Sequence, residues 1–168
     1  MYDVFDVAAY IINKSIESGK PVSNLKLQKL LFYVQANFLV NLGKACFEEE
    51  IQAWKHGPVV PRIYREFRDH GEVTITNSVE FKPQFVFKND ELTMELVKVH
   101  EDLEANIKHA NNVNEVLSSY AEVDPWDLVD KTHNEIWRDV YDGTDNIVIK
   151  TEDIEAYYQK YPNRILGY

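Results

Sequence analysis

Leu27, Leu30, Leu31, Val34, Phe38 and Leu42 recur at intervals of three and four. That spacing puts one apolar stripe on a helix that ends at Gly43, and the stripe has to be covered by other elements. Val4, Val7, Ala8, Ile11, Ile12 and Ser15 share a face in the same way, so Asp3 to Ser18 predicts a first helix, with Asp3 and Asp6 at the positive end of its dipole. Gly19-Lys20-Pro21 breaks it, and Ser23 or Asn24 supplies the cap of the next helix. Ile51, Ala53 and Lys55 alternate with Gln52, Trp54 and His56, which predicts a brief strand turned sharply at Gly57-Pro58. Pro61 then suits the first turn of a short helix whose Ile63, Tyr64 and Phe67 form a face before Gly71.

In the second half the pattern changes. Residues 72–88 alternate apolar with polar around Pro83, as in a β-hairpin or irregular arm that the proline confines to an edge. Asn89 and Asp90 read as caps of a helix with Leu92, Leu96, Val99, Leu103 and Ile107 on its buried stripe, reaching about His109. Asn111-Asn112 should weaken or interrupt it before Val113, Val116, Leu117 and Tyr120 continue a helical face. Asp124-Pro125-Trp126-Asp127 is a strong helix start, followed by Leu128, Val129 and Thr132 and then, past an expected kink, by Ile136, Trp137, Val140 and Tyr141. A loop at 142–146, a short apolar Ile147-Val148-Ile149 run and a last helix capped by the Thr151 hydroxyl complete the chain. The expected fold is mainly α: a compact bundle of about six to seven helices with a short β-hairpin or arm. One domain over residues 1–168 is expected, with 72–88 as its variable arm.

Composition narrows the functional classes. Lone Cys46 forms no intramolecular disulfide, no signal-peptide pattern opens the chain, and no apolar run approaches the ~20 residues that span a bilayer, so a cytoplasmic setting without a membrane partner is expected. The formal charge is −10 and lies almost wholly in residues 72–168, where nine Lys and Arg face twenty Asp and Glu. An acidic half repels phosphate backbones, which disfavours direct nucleic-acid binding. The same field attracts a basic protein partner, or serves only solubility.

Candidate chemistry is sparse. The five His stand apart without zinc spacing, the six Gly stand singly without a phosphate loop, and no cofactor is expected. Two clusters remain. Trp54, Lys55, His56, Gly57, Pro58, Val59 and Pro61 form a corner that either fills core and turns the backbone or presents side chains to a partner. Asp130, Thr132, His133, Glu135 and Trp137 form either a structural hydrogen-bond network or an acid–base group.

The runs Leu25 to Gln35, Ile51 to Pro61, Ile63 to Phe67 and Leu128 to His133, with Glu135 and Trp137, resemble the SocA-like domain family, also called the Panacea domain, found in antitoxins and phage-associated proteins. The chain departs from that family at His56, where an aromatic is common, and in the variable residues 72–112. The resemblance implies a mainly helical small domain that neutralises a cognate toxin by direct protein–protein binding and carries no catalytic residues. Its alternative is a proteolytic adaptor that hands a partner to a cellular protease; a small enzyme using His56 or His133 is the third reading. Lys29, Tyr33 and Tyr64 join the two clusters as candidate partner-binding residues or motif core. Exposed tyrosines could also support a homo-oligomer.

Overall fold

The computed structural model describes residues 1–167. Helix α1 (Val4–Glu17) starts at Asp3, whose carboxylate accepts the Phe5 amide at 2.9 Å. Helix α2 (Asn24–Leu42) runs between the Ser23 cap and Gly43, which takes the left-handed conformation. Strands β1 (Ile51–Trp54) and β2 (Gly57–Val59) form a hairpin, and helix α3 (Pro61–Glu66) follows with Pro61 in its first turn. A second hairpin, β3 (Phe81–Lys88) with β4 (Glu91–Lys98), leads to α4 (Glu101–Ala105), α5 (Ile107–Tyr120), α6 (Pro125–Thr132) and α7 (Glu135–Arg138). Strand β5 (Ile147–Ile149) and helix α8 (Thr151–Lys160) end the series.

Helix α2 is the axis on which the rest packs: α1, α3, α5, α6, α8 and β2 all touch it. It is more than the one-sided helix that its leucine stripe predicts. Lys26, Gln28, Lys29, Gln35 and Asn37 are buried along with the apolar positions. These polar groups bond the backbone of the segments around them. Gln35 accepts from the Cys46 amide and donates to the Phe47 carbonyl, Asn37 donates to the Asn112 carbonyl, and Lys26 Nζ holds the Ala121 and Val123 carbonyls beyond the end of α5. Buried polar side chains are tolerated when satisfied in this way.

The mainly α bundle is overturned. Among the described residues there are eight α-helices and two antiparallel sheets, with 51% helix and 17% strand. The largest correction concerns Asn89 and Asp90. Both have positive φ, +51° and +63°, and make a two-residue turn between strands rather than a helix cap. Leu92 and Leu96 therefore lie exposed on β4, and Ile107, expected on a buried stripe, is exposed. Helix resumes after His100, and its interruption falls at Asn106, whose side chain accepts from the His109 amide, while Asn111 and Asn112 lie within α5. The β1–β2 turn is at Lys55-His56, two residues earlier than the expected Gly57-Pro58 corner. Ile147–Ile149 joins that hairpin as a third strand, in the order β2-β1-β5. Finally, Lys150 occupies the N-cap position of α8, and the Thr151 side chain makes no capping bond.

Candidate functional site

The N-terminal half of α2, the β1–β2 hairpin, α3 and α6 enclose a cleft of about 490 Å³. Its walls are held by side chains of α2: Asn24 donates to the Tyr64 carbonyl at 3.0 Å, and Gln28 accepts from the Val60 amide at 2.9 Å while donating to Asn24. Trp54 and Tyr64 meet edge to face at 5.0 Å on one side, and His56 meets Trp126 at 5.2 Å on the other. Lys55 donates its backbone amide to Asp145 at 2.9 Å, which ties the turn to the loop before β5. Trp126 is 51% exposed and was not among the expected site residues, because Asp124-Pro125-Trp126-Asp127 reads as a helix start alone.

Lys29 lies at the floor of this cleft and is wholly buried. Its ammonium donates to the Pro58 carbonyl at 2.9 Å, and burial pushes its pKa down to about 7. Gly57 passes so close that a Cβ there would stand 2.6 Å from Thr132 Oγ1 and 3.1 Å from Lys29 Nζ. Thr132 is also buried, donating to the Leu128 and Val129 carbonyls at the end of α6. Lys29, Gly57, Pro58 and Thr132 thus form one packed node in which α2, β2 and α6 converge. Val59 is buried beside it and Pro61 opens α3.

His133 and Trp137 stack at 3.8 Å, and Trp137 stacks on Tyr141 at 4.7 Å while donating its indole N–H to the Trp54 carbonyl at 3.0 Å. Burial, then the Lys29 charge, lowers the His133 pKa, and its buried Nε2 makes no hydrogen bond. The second sequence cluster divides at this point. Glu135 turns away from Thr132 and His133 toward Tyr157 at 2.5 Å and Arg164 at 3.1 Å, and these bonds hold its carboxyl down at about 2. Tyr33 is buried and stacked on Tyr120 at 4.6 Å, at the back of a depression of about 310 Å³ that Asp130, His133 and Glu135 also line. Of the sequence candidates, Trp54, Lys55, His56 and Tyr64 are partly or fully exposed, whereas Lys29, Tyr33, Gly57, Pro58, Val59 and Thr132 are buried.

Residues 27–138 match the family described as "Antitoxin SocA-like, Panacea domain". The chain belongs to that family. "Antitoxin SocA" of Caulobacter vibrioides (strain NA1000 / CB15N) is 40% identical over 75 residues, which cover 45% of this chain and 40% of that protein. The match thus spans less than half of the relative's length. No solved structure matches. Within the Panacea match fall the buried lysine node, the open aromatics of the cleft and the whole β3–β4 hairpin, whereas α1, β5 and α8 lie outside it.

Proposed function

We propose that this chain, as one Panacea domain over 1–168, is an antitoxin that neutralises a cognate toxin by direct protein–protein binding. The observation that carries the reading is the family match over 27–138, which takes in both the open cleft and the β3–β4 hairpin. Within the expected acid–base cluster Glu135 is already paired to Arg164 and Tyr157, and His133 is stacked on the Trp137 indole, which supports a structural use of both.

Co-expression with the protein of the adjacent reading frame tests this. Growth arrest by that protein alone, relieved by the antitoxin and accompanied by a purified complex of the two, is the expected result. An unchanged half-life of the partner in the relieved cells separates binding from delivery to a protease. Arrest that persists despite a soluble, folded antitoxin would sink the reading, and relief retained by a well-folded His56→Gln, His133→Gln double variant would remove the histidine-based enzyme.

A further inference from the structure

The β3–β4 hairpin turns its apolar side outward. Its register pairs Lys88 with Glu91, Phe87 with Leu92, Phe85 with Met94 and Pro83 with Leu96. Directly opposed residues point to the same side of an antiparallel pair, so Phe81, Phe85, Phe87, Leu92, Met94 and Leu96 share one face. Phe87 is 78% exposed and Leu96 70%. The opposite face carries Lys82, mostly buried, whose ammonium meets Asp3 and Asp6 at 2.8 Å each. The polar side is therefore the one fastened to the body. One-faced antiparallel sheets ordinarily do the reverse, packing the apolar side inward.

The area is large enough to matter. At roughly 200 Å² for a large apolar residue, those six side chains present on the order of 800 Å², the share that one partner contributes to a standard interface. Ordinary monomers rarely leave apolar patches beyond a few hundred Å² uncovered. The face also continues at its root into a depression of about 520 Å³ lined by Phe67, His70, Ile75, Val79, Phe81 and Leu96.

Charge selects the occupant. From Glu80 to Glu104 acids outnumber lysines seven to three. Each lysine already faces carboxylate: Lys82 as above, Lys88 at Glu95 and Lys98 at Glu101, 3.7 Å away. By the same register Glu91 and Glu95 lie on the opposite side and Lys98 on the apolar one. The charge that surrounds the patch is thus that of the hairpin and its ends together, with Asp90 at the tip and Glu101, Asp102 and Glu104 beyond the root, and it is net negative. A two-fold contact between copies sets the same patch against itself, so two net-negative surroundings would face each other. A surface with an apolar centre and a lysine- and arginine-rich rim meets opposite charge instead.

We infer that the Phe85–Phe87–Met94–Leu96 face of the hairpin docks a partner protein whose contact surface is apolar at its centre and basic around it. The inference rests on the antitoxin reading, under which that partner is the toxin. Binding of the purified adjacent-frame protein, followed kinetically across a salt series, tests it with Phe87→Asp and, on the facing strand, Met94→Asp. Both positions are solvent-exposed, so circular dichroism and melting should match the parent chain; if either variant misfolds, the other decides. The expected result is at least a roughly 30-fold loss of affinity in each variant, with a parent association rate that falls steeply as salt rises. Variants that bind within about twofold of a neutralising parent chain overturn the docking face alone. A salt-insensitive association rate overturns the basic rim, and a parent dimer that Phe87→Asp dissociates makes a second copy the occupant. A parent chain that neither binds nor neutralises brings down the antitoxin reading, and this inference with it.

Discussion

Gly57 shows how a single residue is fixed by what passes beside it. Its φ is +92° and the space where a Cβ would stand is already held by Thr132 and Lys29, so both conformation and volume demand glycine. Gly43 also has positive φ, but nothing lies within 4 Å of its missing Cβ. Gly57→Ala should therefore lower stability by about 3 kcal/mol or more, through strain plus overpacking. Gly43→Ala should lower it by about 1 kcal/mol, through conformation alone. Thermal and urea melts of the two variants check the ordering. Lys29 gives a second test. Its pKa falls from 10.5 to about 7 on burial, so the unfolded chain holds this proton more tightly than the folded one. Its contribution is then complete above 10.5 and is lost as pH falls through about 7; stability should rise with pH across that window, and Lys29→Met should flatten the rise. Equal slopes in parent and variant would exclude Lys29 as the source. The sequence marks Gly57 and Lys29 as motif members, but not their contact, because spacing along a chain says nothing about which side chain crosses beneath which backbone.

Among the elements, those whose signals are local were legible and those that depend on pairing were not. Ser23, Asp124 and Gly43 cap their helices as their residue types predict, since a cap is formed within three or four residues. The interval from Leu92 to Leu103 carries two periods at once. Leu92, Leu96, Val99 and Leu103 fit a helix, and Leu92, Met94 and Leu96 fit a strand. The Asn89-Asp90 turn decides for the strand, because Asn and Asp accept the two left-handed conformations that a tight hairpin needs. Thr151 presents the opposite case: a good capping residue one position too late. Asp124→Ala should therefore cost about 1 kcal/mol of stability, whereas Thr151→Ala should lie within about 0.5 kcal/mol of the parent chain. Chemical denaturation of the two variants distinguishes them, and equal losses would return the cap to Thr151.

At the scale of the molecule, the hairpin is joined to the core through charges that lie far apart in sequence. Asp3 accepts from Arg62 Nη1 at 2.7 Å and from Lys82 Nζ at 2.8 Å while capping α1, so one carboxylate links the first helix, α3 and the outward-facing β3–β4 pair. No sequence pattern announces this, because Asp3 and Lys82 are each ordinary surface residues until the fold brings them together. Burial alone would raise the Asp3 pKa; the Lys82 and Arg62 bonds outweigh it and hold the group at about 2. A lowered carboxylate pKa means that the anchoring is complete above the ordinary value of 3.8 and is lost as pH falls through about 2. The α2-centred core does not depend on that contact, since its buried apolar cluster and its glutamine and asparagine bonds remain. Asp3→Asn should thus speed amide hydrogen exchange across residues 81–98 several-fold while leaving the α2 amides at the parent rate. If exchange in α2 rises in step with the hairpin, the two open together, and the hairpin is part of the cooperative core rather than an arm held against it by its polar side.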